Sequence, residues 1–239
     1  MSRSSVGLIS CAALLLVGVA PSAQRSQDSV PDVDVLIAEG LYEEAESAAR
    51  AHVSKLHASY GDDALQVASA SDELVRALIV NGRGASDETL ALARRSIRIK
   101  EAQLGANHAD VASSLMNLGD VLAERAEFNE ALAVAQRALT LRQAAARADS
   151  LDVADALDHL GAVMSAARRS EDALKALETS LRLKENLLGA TDIALARTLK
   201  SWRSCSNDAA NTRNRERWCG APRRYRSVCV SIIRCTRGR

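Results

Sequence analysis

VASSLMNLGDVLAERAEFNEALAVAQRALTLRQ (residues 111–143) and VADALDHLGAVMSAARRSEDALKALETSLRLKE (residues 153–185) are one pattern written twice. A shift of 42 residues places Val111 on Val153, Ala112 on Ala154, Leu115 on Leu157, Leu118 on Leu160 and Gly119 on Gly161. Farther along, Ala131 falls on Ala173, Leu132 on Leu174, Leu139 on Leu181 and Leu141 on Leu183, with no gap. Val111, Leu115, Leu118 and Leu122 step by four, three and four, which is one stripe of an α-helix. Ala131, Leu132, Ala135, Ala138, Leu139 and Leu141 make a broader stripe, as befits a second helix with two neighbours, and Glu127-Phe128-Asn129 supplies the turn between them. Helical hairpins recurring at a fixed period bury their faces on one another and stack into a solenoid.

The frame extends both ways. Val67, Ala68, Leu74 and Leu78 precede Val111, Ala112, Leu118 and Leu122 by 44 residues, while Leu90, Ile97 and Ile99 precede Leu132, Leu139 and Leu141 by 42. The turn Asn81-Gly82-Arg83-Gly84 absorbs the difference. GLYEEAESAARA (40–51) matches a second helix, and Leu195, Leu199 and Trp202 begin a further unit. The expectation is therefore an all-α, right-handed solenoid over 41–202: a half repeat, three full repeats and the start of a fourth. Helices are expected near 42–58, 64–80, 86–103, 110–125, 128–146, 152–167, 170–188 and 193–203, with 24–40 as a linker and the start of the first helix. The expected core is Leu74, Leu78, Leu115, Leu118, Leu122, Leu132, Leu139, Leu157, Leu160, Leu174 and Leu181.

Leu118-Gly119 with Leu122 and Ala131, and Leu160-Gly161 with Met164 and Ala173, stand where the tetratricopeptide repeat has its Leu-Gly pair, aromatic and later Ala. The chain resembles that family, with Leu and Met in place of the aromatic. The 42-residue period and the segment Leu104-Gly105-Ala106-Asn107-His108-Ala109-Asp110-Val111-Ala112 resemble the kinesin-light-chain subclass more closely. The resemblance implies a non-catalytic protein-interaction scaffold whose first helices line a concave face. Projecting the frame gives four rows there: Ser69, Ser113 and Asp155; Asp72, Met116 and Asp158; Glu73, Asn117 and His159; Arg76, Asp120 and Ala162. The candidate partner-binding residues are Asp72, Glu73, Arg76, Ser113, Met116, Asn117, Asp120, Asp155, Asp158 and His159. In the subclass the third row is usually Asn, which both donates to and accepts from a peptide backbone; only Asn117 keeps it. With Glu124 these rows hold six acids and one Arg, so the expected partner is a neutral to basic protein or peptide segment.

No catalytic, cofactor or metal pattern accompanies the repeats. His52 and His57 do not share a helical face, and His108 and His159 have no ligand spacing around them. There is no Gly-x-Ser-x-Gly. Gly82-Arg83-Gly84 lacks the third glycine of a phosphate loop. Cys205, Cys219, Cys229 and Cys235 contain no Cys-x-x-Cys, so zinc is disfavoured. The expectation is no enzyme, no cofactor and no small-molecule substrate.

The two ends differ from the middle. Arg3 is the only charge before residue 24, Val6 to Ala20 is almost wholly apolar, and Pro21-Ser22-Ala23 offers a cleavage site. Residues 1–23 read as a signal peptide, which implies a periplasmic or extracellular protein with no membrane span after cleavage. Residues 24–199 carry 19 basic and 28 acidic residues, a net of −9, whereas 200–239 carry 11 and two, a net of +9. Residues 203–239 form a basic Cys/Arg-rich tail that breaks the repeat pattern, read as disordered or out of frame. One alternative makes the chain the N-terminal part of a larger bacterial enzyme with a caspase-like protease domain after the repeats. A second makes the tail a nucleic-acid or anionic-surface arm.

Overall fold

A computed structural model describes residues 32–145, 150–189, 192 and 194–211, with side chains described as far as Ser206. Among the described residues there are nine helices and no strand: α1 (Val33–Glu39), α2 (Tyr42–Tyr60), α3 (Leu65–Val80), α4 (Asp87–Leu104), α5 (Ala109–Glu124), α6 (Phe128–Ala145), α7 (Leu151–Ala166), α8 (Ser170–Leu188) and α9 (Ala194–Asn211). This is the all-α solenoid of stacked hairpins that the repeat implies. Each helix packs on the next in sequence, and α1, α3, α5, α7 and α9 also touch one another in order. The odd-numbered helices thus form the inner row of the stack and the even-numbered helices the outer row.

Six of the eight expected helices match to within a residue at each end, and α2 runs two residues further. Two differences stand out. Within 24–40, expected as a linker and the start of the first helix, lies a separate short helix, α1, capped by the Asp32 side chain on the Asp34 N–H at 2.9 Å and stopped by Gly40 in the left-handed conformation. At the other end α9 passes the expected end at residue 203 and continues to Asn211. Cys205 lies three residues after Trp202, on the stripe of Leu195 and Leu199, and is buried with them. The expected boundary between 202 and 203 falls inside a helix. The proposed signal peptide (1–23), the first part of the linker and the tail from 212 lie outside the described residues.

One turn recurs inside every hairpin. Gly40, Gly82, Ala126 and Arg168 occupy equivalent positions, and all four have positive φ, at 79°, 74°, 60° and 62°. The following N–H reaches back to the helix it has just left: Leu41 to Leu36, Arg83 to Leu78, Glu127 to Leu122 and Arg169 to Met164, at 2.8–2.9 Å. This is the six-to-one closure of a helix C-terminus, which satisfies an otherwise orphaned carbonyl. The two residues by which the first full unit exceeds the others lie in its turn, between Gly82 and the capping Ser86, whose hydroxyl accepts from the Thr89 N–H at 3.2 Å.

Of the expected core, Leu74, Leu78, Leu115, Leu118, Leu122, Leu139, Leu160, Leu174 and Leu181 are buried. Leu132 and Leu157 are only partly buried and flank the core instead. Their neighbours Ala131 and Ala156 take the inner positions. On α6 the fully buried face is Ala131, Ala135 and Ala138, spaced four and three, because small side chains let α5 and α7 approach closely. One hydrophobic cluster runs from α3 to α7, a second joins α8 to α9, and Met164 touches both.

Candidate functional site

Helical periodicity turns Ser69, Asp72, Glu73 and Arg76 of α3 to the same side as Ser113, Met116, Asn117 and Asp120 of α5, and as Asp155, Asp158, His159 and Ala162 of α7. Together they line a groove of about 620 Å³ along the inner helices. All ten candidate residues lie on it. Lys100, Arg142, Asp152, Arg197 and Ser201 line it as well, outside the four rows of the repeat frame. Glu124 is not among the lining residues. Burial, and then the neighbouring Asp120 charge, push its carboxyl above the ordinary glutamate value.

The groove is built on two buried polar locks. In the first, Asp72 Oδ2 accepts from Lys100 Nζ at 2.5 Å and from Ser114 Oγ at 2.6 Å, while Oδ1 accepts from Ser96 Oγ at 2.7 Å. In the second, Asp158 Oδ2 accepts from Lys184 Nζ at 2.6 Å and from Thr198 Oγ1 at 2.5 Å. The Ser96 hydroxyl also lies 2.9 Å from the Ala68 carbonyl, and Ser180 donates to that of Ala154. The two locks are equivalent positions of alternate units, and each ties three successive helices. Asp72 and Asp158 therefore line the floor of the groove with carboxylates held from within, Asp158 through Oδ2 alone, since its Oδ1 is buried without a hydrogen-bond partner.

Most of the other candidate residues are also tied to neighbours. Glu73 pairs with His52 at 3.1 Å, Arg76 with Asp34 at 3.1 Å and Asp155 with Lys184 at 2.8 Å. Asn117 donates its amide to the Asp72 carbonyl at 3.3 Å. Ser113 accepts from Arg142 Nη2 at 2.7 Å. His159 Nε2 lies 3.0 Å from Asp120 Oδ1, yet outside hydrogen-bond geometry, and both ring nitrogens of this buried histidine lack a hydrogen-bond partner. Gly119 makes room for that ring: a Cβ there would stand 2.7 Å from His159 Cε1.

The charge of the groove differs from the sequence reading. Six acids line it, Asp72, Glu73, Asp120, Asp152, Asp155 and Asp158, but so do four cations, Arg76, Lys100, Arg142 and Arg197. Lys100 and Arg142 come from the outer helices and reach between the inner ones. The signal that finds them is the repeat itself, since Lys100, Arg142 and Lys184 are 42 residues apart. Among the described residues no group of three His, Cys, Asp or Glu is placed to hold a metal ion. None of the described helices is long and apolar enough to cross a membrane.

A stack of 42-residue helical hairpins with a polar inner groove defines a class, the α-solenoid interaction scaffolds. Two family models, each described as tetratricopeptide repeat, match residues 73–144 and 153–193. The chain carries tetratricopeptide repeats, and its fold is like that of kinesin-light-chain-type repeat structures. It is similar to the crystal structure of nearly identical TPR-like repeats of a protein described as a kinesin light chain from Podosopora anserina. The TM-score is 0.60 and the identity 14%, over 87% of this chain and 93% of that one. A single-residue variant of that protein gives 0.62 and 14%, over 86% and 93%. BtubC (BKLC) from P. vanneervenii gives 0.61 and 18%, over 87% and 79%. These likenesses are of fold. No curated protein sequence matches the chain.

Proposed function

We propose that this chain is a non-catalytic scaffold whose inner groove binds an extended segment of a protein partner. The observation that carries the reading is the continuous polar groove across α3, α5 and α7, lined by residues from the same positions of three successive units. Tetratricopeptide repeats are in general protein-binding scaffolds. The two locks keep the floor rigid, so a bound segment does not have to order it. Glu73, Asp120, Asp152 and Asp155 remain at least a third exposed at the rim. They favour basic residues in the partner, and binding is expected to weaken with salt. The apolar run from Val6 to Ala20 supports export.

The test is selection from a random library of blocked nonapeptides by the full chain and by a Glu73→Lys/Asp120→Lys variant. These positions avoid the locks, so the fold is preserved. The wild type is expected to enrich sequences rich in Lys and Arg, and the variant to lose that enrichment. Equal, unenriched pools from both proteins would overturn the reading.

A further inference from the structure

The two locks have a counterpart that is missing from the unit between them. Asp72 and Asp158 correspond to Met116; Ser96 and Ser180 to Ala138; Ser114 and Thr198 to Ala156. Only the cation persists, as Arg142 in the row of Lys100 and Lys184. The middle unit thus keeps a largely buried positive charge and has lost the carboxylate that pairs with it elsewhere, together with the two hydroxyls beside that carboxylate.

Arg142 shows the consequence. Its side chain is 18% exposed, and it lines the groove. Nη2 donates to Ser113, but Nε is buried and has no hydrogen-bond partner. The nearest carboxylate among the described residues, Asp152 Oδ1, stands 3.8 Å from Nη1, beyond hydrogen-bond distance, on a side chain that is 59% exposed. A buried donor without an acceptor is costly, and a guanidinium presents paired donors matched to a carboxylate. One turn along α7 from Ala156, the buried His159 ring lines the same groove, with Nε2 3.0 Å from Asp120 Oδ1.

We propose that the middle of the groove is a carboxylate site, in which Arg142 receives an Asp or Glu side chain of the bound segment beside Met116. The incoming carboxylate takes the place that Asp72 and Asp158 fill in the flanking units. This rests on the reading of the groove as a peptide-binding surface and adds a specific partner chemistry to it. The exposed rim acids Glu73, Asp120, Asp152 and Asp155 decide the source. They repel a multiply charged anion and favour one acidic residue flanked by basic ones.

The experiment extends the library selection with two variants and two peptide formats. Met116→Asp supplies the missing carboxylate from within, and Arg142→Gln removes the cation; thermal unfolding confirms that each is folded. With C-terminally amidated peptides the wild type is expected to enrich Asp or Glu at one position between basic residues. Met116→Asp and Arg142→Gln should keep the basic residues and lose the acidic one. In the best wild-type peptide, Glu→Gln or Asp→Asn should weaken binding about 10–100-fold to the wild type and less than about twofold to Met116→Asp. Basic enrichment without an acidic position, or an acidic preference unchanged in Met116→Asp, overturns this inference and leaves the peptide-binding reading standing. A requirement for a free C-terminal carboxylate, with no internal acid, also overturns it. No enrichment in any pool overturns both.

Discussion

Ala126 and Arg168 hold a left-handed backbone, at φ 60° and 62°, where the equivalent turns of the earlier units have Gly40 and Gly82. A Cβ in this conformation costs roughly 1–2 kcal/mol, part of which glycine forfeits through the greater freedom of its unfolded chain. Ala126→Gly and Arg168→Gly are each expected to stabilise the protein by about 0.5–1 kcal/mol, read as a higher urea midpoint. Gly161 is the opposite case. It sits inside α7, where alanine offers up to about 1 kcal/mol of helix propensity. Yet a Cβ there would stand 2.7 Å from Leu177 Cγ and 2.9 Å from Cδ2, and Leu177 is fully buried. Overpacking of this kind costs about 1–3 kcal/mol. Gly161→Ala should therefore lower the urea midpoint, and a raised midpoint would show that Leu177 has room to turn.

Between elements, the locks matter more than any surface pair. Lys100 Nζ and Asp72 sit between α3, α4 and α5 with side chains 7% and 11% exposed. Lys100→Met leaves the Asp72 carboxylate buried with only hydroxyl donors, at an expected cost of about 3–5 kcal/mol. The double variant Asp72→Leu/Lys100→Met removes both charges, and much of that loss should be recovered. Chemical denaturation of the two single variants and the double variant measures the coupling, and strict additivity would contradict the pairing. A second tie fastens α2 to the turn between α3 and α4. Glu46 accepts from Arg50 at 2.9 Å, Asn81 at 2.8 Å and Arg83 at 2.5 Å. Burial pushes its carboxyl up, but the Asn81 and Arg50 hydrogen bonds and the Arg83 and Arg50 charges outweigh this and hold it below the ordinary glutamate value. A depressed carboxyl contributes stability above its unfolded pKa and loses it as pH falls through the folded one. Stability should accordingly decline below about pH 4.5, and Glu46→Gln should be less stable at pH 7 with a shallower acid decline.

As a whole, the molecule is a line of hairpins in which each contacts only its neighbours, so stability is close to a sum of unit and interface terms. Its two apolar clusters meet at Met164. Trp202 belongs to the second, with Leu195, Leu199 and Cys205 against α8. Trp202→Ala is expected to cost about 3–5 kcal/mol at that end. Hydrogen exchange should speed up in α8 and α9 while α2, α3 and α4 keep their protection. Uniform acceleration across all helices would mean that the stack unfolds as one unit.

Much of this was legible in the residues. The 42-residue period dictates paired helices, because the stripe Val111, Leu115, Leu118 and Leu122 has no other regular backbone that gathers it on one side. The same period carries Asp72, Met116 and Asp158 into one row, and all ten candidate residues lie along one groove. Depth and cross-chain pairing were not legible. Helical periodicity gives the angle of a side chain about its own axis, and says nothing of how near the next helix comes. Asp72 and Asp158 read as surface acids until the close approach of their neighbours, permitted by small residues such as Ala68 and Ala154, sealed them against Lys100 and Lys184. Leu132 and Leu157 read as core until Ala131 and Ala156 took the inner positions. Arg142 belongs to an outer helix, and only the packed stack shows its long side chain passing between α5 and α7 into the groove. Local spacing determines which residues share a face; the distance between faces, which sets what is buried and which charge finds a partner, arises only when the helices pack.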